Sequence, residues 1–477
     1  MLRPLIQRRS VFPRSRERGV TMALVALAMV GIIAMAALSI DVGTLYQASA
    51  EAQRSADAAA LAAAKVLSFS GLTGDPKNTS GQWSFACAAA TRTAQTVANQ
   101  NNVGGKAPSS VNVTFLSSDK SDCTSSGQSA FGINPMVTVQ VVQASLPTYF
   151  SRIWGRSGSR VSASATAEVF NPSNSDRETS SKQLVPVQPR CVKPLIVPNL
   201  DPDHPPSCGN WSSPPPPPSP CNAFIKNTDG SIINPGITLG AGGGGVIGEQ
   251  FNLVPDCNTN GPTCNLTPGG GQTYTATPGV YVANNLQYLP GLAPASATAV
   301  PSCASGQYQQ AVAGCDQTTA YQCGVQSATV ANPNQVDLNE NPGIATRDTS
   351  TAADCLIQQV KGPDTLRTST YPYQIQAGAG NPIVGANGTL ITNSNSIVTI
   401  PIYDNTTALP TGIQQPPVTI VGFLQVFINT VNAGAIDGSL NVTVLNVAGC
   451  GTGVPAGTTP LYGSSPVPVR LVTPPAS

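Results

Sequence analysis

The longest apolar run lies near the start of the chain: Val20 to Ile40, VTMALVALAMVGIIAMAALSI, contains no charged residue. As an α-helix it spans roughly 31 Å at about 1.5 Å per residue, which matches a hydrocarbon core about 30 Å thick. A helix is the form such a run takes in lipid, because it pairs every backbone polar group internally. After Asp41-Val42-Gly43 the helix formers continue as TLYQASAEAQRSADAAALAAAKVL. Leu45, Ala48, Ala52, Ala56, Ala59, Ala63 and Val66 recur at steps of three or four and so share one face. On the other side Glu51 is placed to pair with Arg54. The spacing predicts one helix from Val20 to Leu67, half in lipid and half outside. Small residues along its stripe permit close backbone approach, by the chain's own domain or by another subunit.

Further on, Phe85 to Asn99 reads as a second helix with Ala89, Ala90, Thr93, Thr96 and Val97 on one side. Alternation predicts strands at Val111 to Leu116, Met136 to Val142 and Arg160 to Phe170, with LPTYFSRIW (Leu146 to Trp154) as a short amphipathic piece between the last two. From Asn171 the pattern fades. Pro186 to Pro220 includes PPPPPSP, which prefers extended polyproline II and suits a semi-rigid spacer. In the remainder, Ile397 to Ile402, Val418 to Asn429 and Ser439 to Val447 are the clearest strands. VTIVGFLQVFI, from Val418 to Ile428, is too short to cross a bilayer as a helix and reads as a buried strand, with Gly422 marking a bulge. The fold class that follows is α+β. Its expected order is a basic segment (1–19), a transmembrane helix (20–40), its extension (41–67), a small α+β domain (68–170), a Pro-rich linker (171–222) and a β-rich domain (223–477).

Charge fixes an orientation. Arg3, Arg8, Arg9, Arg14, Arg16 and Arg18 crowd the region before the apolar run, and almost no Lys or Arg follows it closely. Arg14, Arg16 and Arg18 therefore mark the cytoplasmic side, Val20 and Ile40 bound the span, and everything from Asp41 onward is expected outside the cytoplasm. A cleaved signal peptide is the alternative, since Ala34-Met35-Ala36 resembles a cleavage site; its apolar region would be about 7–15 residues, shorter than this run. Over the whole chain charged residues make up 10% and the net charge is +1, which offers nucleic acid no general attraction.

The twelve cysteines are even in number and widely scattered, as disulfides in an oxidising compartment would be. Candidates are Cys87, Cys123, Cys257, Cys264, Cys315 and Cys323. The sequence leaves connectivity open, although Cys257/Cys264 and Cys315/Cys323 are near enough to close short loops. No C-x-x-C occurs and His204 is the sole histidine, so zinc ligand spacing is missing. H-E-x-x-H and G-x-S-x-G are absent, and His204 falls in the predicted linker, a poor place for a positioned base. The run GAGGGGVIG (Gly240 to Gly248) lacks the Lys-Ser/Thr ending of a phosphate loop and reads as a flexible loop. Asp337, Glu340, Asp348 and Asp354 are close in sequence, and surface solvation accounts for them; calcium at Asp337 to Asn341 is the most that the pattern allows. Neither catalytic residues nor a cofactor or metal is expected.

Arg16 to Lys65, with its basic flank, single span, Asp-Val-Gly exit and Ala-rich stretch ending Ala-Ala-Leu-Ala, resembles the amino-terminal module of TadE/TadG-like proteins of Flp-type (Tad) pilus assembly. MVTVQVVQASLPTYFSRIWGRSGSRVSASATAEV is similar to the stretch closing the first domain in that family, so the resemblance covers residues 16–170. It implies a pilin-like domain and a non-catalytic structural or assembly role. The chain would sit in the inner membrane as a single-pass protein, amino-terminus inside. Its partners would be the lipid bilayer and other pilus-assembly proteins, with any surface or glycan target unidentified. Two family features are missing. If Gly19 were the cleavage-site glycine of a pilin, the position of the pilin glutamate holds Leu24, and the D-x-S-x-S metal motif of some relatives does not occur. The alternative is a secreted adhesin or carbohydrate-binding protein with a cleaved signal peptide.

Overall fold

The computed structural model describes residues 17–74, 80–115, 123, 134–148, 158–173, 186–203, 223–238, 245–256, 284–293, 303, 306–315, 321–324, 334–410, 413, 415–432, 437–451, 461–463 and 465–473. The fold is mixed α+β. Its contacts gather into two compact units: residues 1–56, 97–112 and 140–164 form the first, and 57–96, 113–139 and 165–477 the second.

Helix α1 runs unbroken over Glu17–Ser68, 52 residues, or roughly 78 Å. Gly43 is accommodated inside it with nothing within 4 Å of the place a Cβ would take. The predicted stripe is buried where it leaves the apolar run: Ala48, Ala52, Ala56, Ala59 and Ala63 are all hidden, together with Ala60, Ala64 and Leu67. Helix α2 spans Ser80–Gln100. Its buried face is Trp83, Ala86, Cys87, Ala90, Ala94 and Ala98, rotated from the predicted side; Ala89, Thr93 and Val97 are half-buried and Thr96 is exposed. Alanine lies all round this helix, so apolar periodicity discriminates poorly. The rotation is instead held by Trp83, edge-on to Phe115 with ring centroids 5.0 Å apart, and by the Cys87–Cys123 disulfide.

Strands β1 (Ser110–Phe115), β2 (Met136–Leu146) and β3 (Ser159–Val169) lie where alternation places them. A fourth strand joins their sheet from the far end of the chain: β16 (Val469–Val472) pairs antiparallel with β3, Val469 opposite Val169. Sheet order is β1-β2-β3-β16. Arg470 reaches Glu168 at 2.9 Å across that pair. Residues 68–170 are thus not a sheet closed on themselves.

In the second unit, β4 (Val187–Pro189) and β5 (Leu195–Pro198) fall inside the stretch predicted as linker. Leu195, Ile196 and Val197 are wholly buried, because an apolar Leu-Ile-Val run has a sheet to enter. The others are β6 (Gln250–Pro255), β7 (Asn285–Pro290), β8 (Gln335–Asp337), β9 (Thr365–Arg367), β10 (Gln374–Gln376), β11 (Leu390–Ile391), β12 (Ile397–Tyr403), β13 (Pro417–Val431), β14 (Leu440–Gly449) and β15 (Leu461–Gly463). The large sheet has the order β12-β5-β7-β6-β14-β13-β8, and β12 also pairs with β13. Six strands therefore close into a ring, which removes exposed edges. On its inner face Leu253, Leu286, Ile400, Val426, Val442 and Val444 belong to one buried core.

Gly422 does sit beside an irregularity, since the β12–β13 register skips Val421. It also has a steric reason: a Cβ there would lie 2.5 Å from Ile225 Cδ1 and 2.6 Å from the Ala448 carbonyl oxygen. Two helices absent from the sequence reading complete the unit. They are α3 (Gln307–Ala313) and α4 (Ile344–Ile357), tied by Cys303–Cys355. Asp348, expected on the surface, is buried in α4 and accepts from Gln309 Nε2 at 3.1 Å and Arg347 Nε at 2.9 Å.

Candidate functional site: the anchor helix and its base

The first half of α1 has the chemistry of a membrane span. Its best window has a mean hydropathy of 2.6, and only 6% of that window is buried, so Met22, Leu24, Leu27 and Ile33 point outward with nothing covering them. Arg18 lies in the first turn of α1; Arg14 and Arg16 fall outside the described residues. Val20 and Ile40 are both exposed helix positions, and Asp41, the first charge after the run, is buried.

Just past Asp41 the helix meets the base of the first unit. Thr44 Oγ1 donates to the Asp41 carbonyl at 2.8 Å. Glu51 does not turn to Arg54. It accepts from Gln47 Nε2 at 3.0 Å and from the backbone N–H of Gly104 at 2.7 Å. Gly104 belongs to a tight turn closed by Val103 and Lys106, with φ +62° and the Leu146 side chain where a Cβ would project. A cavity of about 190 Å³ remains between Thr44, Ala48, Glu51, Gly104, Leu146 and Pro147. One turn further, Ser55 Oγ donates to the Ala98 carbonyl at 3.3 Å, which locks the alanine stripe against the end of α2. These contacts tie the helix extension to the turn and to the end of α2.

In the second unit the notable electrostatics are internal. Glu249 is buried next to Asp201 and Asp203. Burial first, then the two neighbouring carboxylates and the hydrogen bond to Asp201, push its carboxyl up to about 10. Burial alone raises Asp256 to about 6 and lowers Lys65 and Lys193 to about 8. The Lys65 ammonium sits 4.6 Å from the Phe69 ring centre, and Lys193 donates to the Gly314 carbonyl at the end of α3. No group of three or more His, Cys, Asp or Glu that could hold a metal ion occurs among the described residues.

The disulfides follow the fold, not sequence proximity. Cys315 and Cys323 do not close a short loop together: the pairs are Cys191–Cys315 and Cys323–Cys450. Cys323 makes a backbone bridge with Val187, and its disulfide partner Cys450 follows the last residue of β14. Cys257, Cys264 and His204 lie outside the described residues.

Residues 19–66 match the Tad family model, described as "Putative Flp pilus-assembly TadE/G-like". The match coincides with α1, covering the apolar run, the exit at Asp41 and the buried alanine stripe. The Tad-like segment and the apolar helix together fit a pilus-assembly component with a single-pass anchor, and such a segment points to a structural role and to other pilus proteins as partners. No curated protein and no solved structure matches the chain.

Proposed function

We propose that this chain is a non-catalytic, membrane-anchored structural or assembly component of a Flp/Tad-type pilus. In this reading Val20 to Ile40 lies in the inner membrane, Arg14, Arg16 and Arg18 stay in the cytoplasm, and Asp41 onward projects outside. The observation that supports it best is the coincidence of the Tad match with a helix whose first half is bare and apolar and whose second half is buried in its own chain. The first half has lipid as its natural solvent, and the second transmits force from the anchor to the folded units. Four disulfides among the described residues suit an oxidising compartment.

Topology and retention test this directly. Alkaline phosphatase fused after Ser68 should be active in cells, and the full chain should stay with membranes through a high-salt wash. Activity only of a cytosolic reporter at the same junction, or recovery of a soluble mature form beginning near Leu38, refutes the reading. Cross-linking in detergent-solubilised membranes should then capture other pilus-assembly proteins.

A further inference from the structure

We infer that the outer surface of the ring wall formed by β6, β7, β13 and β14 is a binding site for a neutral saccharide. The register sets Thr430 opposite Asn441, Asn441 opposite Asn252, and Asn252 opposite Asn285, one row across four strands. The asparagines of that row, with Asn429 at the bulge beside Thr430, form a directed relay. Asn429 Nδ2 donates to Asn441 Oδ1 at 2.9 Å, Asn441 Nδ2 to Asn252 Oδ1 at 2.9 Å, and Asn252 Nδ2 to Asn285 Oδ1 at 3.1 Å. Gln250 Nε2 joins at Asn441 Oδ1, 3.0 Å away. Above the relay lies a groove of about 490 Å³, within the range of small-molecule sites.

Asparagine is depleted in strands because it packs poorly on a pleated surface, so its recurrence on neighbouring strands runs against local preference. Violations of local preference concentrate at functional sites. A carboxamide has two donors and two acceptor lone pairs. Asn252 uses one of each in the relay and keeps one of each; Asn441, whose Oδ1 already accepts from Asn429 and Gln250, keeps one donor. Aligned amides polarise one another and strengthen what they offer.

The lining selects the ligand class. Among the described residues it consists of amides, hydroxyls and the half-buried Val254, with Val431 and Leu440 buried beneath, and no charged residue. Phosphates and nucleic acids need cations, and divalent metals need carboxylates. Vicinal hydroxyls, each both donor and acceptor, match the amide row, and the accessible part of Val254 offers a contact for the C–H face of a sugar ring. This inference does not depend on the pilus reading.

The test uses the full chain in a detergent without a sugar headgroup and three neutral probes, the hexaoses of β-1,4-N-acetylglucosamine, β-1,4-glucose and α-1,4-glucose, with a heparin hexasaccharide as the charged control. Saturation-transfer NMR and titration should show at least one neutral hexaose bound. Thr430→Trp and Ser439→Trp each fill the groove while leaving the relay intact, and either should weaken binding by about tenfold or more. Asn112→Ala, in the first unit, should leave it unchanged. Unaltered melting of one tryptophan variant is enough to read the result. The inference is overturned if no neutral hexaose binds at millimolar concentration, if only heparin binds, or if both tryptophan variants bind as the parent does.

Discussion

Replacing Glu249 by glutamine should stabilise the protein, and by more as pH rises. Glu249 is 1% exposed and shares its site with Asp201 and Asp203. Its carboxyl is held neutral up to about 10, whereas the unfolded chain releases that proton near 4.5. The folded state therefore binds more protons than the unfolded state throughout that window, so stability falls as pH rises from 4.5 toward 10. From 4.5 to pH 7, at about 1.4 kcal/mol per pH unit, the cost is on the order of 3 kcal/mol. The substituted carboxamide would keep a donor for the Asp201 carboxylate and has no charge to desolvate. Urea unfolding of the full chain in detergent, followed by near-ultraviolet circular dichroism, measures the difference between E249Q and the parent. That difference should be near zero at pH 4.5 and on the order of 3 kcal/mol at pH 7. Asp256, Lys65 and Lys193 titrate alike in both proteins and cancel. A difference that does not vary with pH, or one that favours the parent increasingly at alkaline pH, refutes the argument.

The lysines give the opposite slope. With Lys193 lowered to about 8 by burial, the parent should regain stability between pH 8 and about 10.5, and Lys193→Met should flatten that rise in the same unfolding series. Gly438→Ala should cost about 1–3 kcal/mol, because φ is +76° and the new Cβ would lie 2.5 Å from the Ala345 carbonyl oxygen; thermal melts check this. Removing the Cys323–Cys450 bridge as a double serine variant, which opens a loop with a sequence separation of 127, should cost about 2–5 kcal/mol in urea titrations under non-reducing conditions. Glu51→Ala should cost about 1 kcal/mol and speed amide exchange at Gly104, whose N–H loses its acceptor.

The elements that sequence pattern determined are those whose signal is local. The apolar run and the alanine stripe specify α1 almost to its ends, because lipid length and a three-to-four spacing are properties of a single segment. Alternation places β1 to β3 for the same reason, and near-continuous apolar runs place β12 to β14, which are buried on both sides. Tertiary structure alone decided which element covers each hidden side. Leu195 to Val197 read as part of a spacer until β7 and β12 flank it, and Val469 to Val472 completes a sheet by pairing with a strand 300 residues earlier. The turn of α2 about its axis was set by Trp83 and Cys87 finding partners beyond the helix. The asparagine row is invisible in sequence because its members come from four strands, and only register sets them side by side. A residue's own pattern states that it needs a partner; the closing of the chain over long separations chooses the partner.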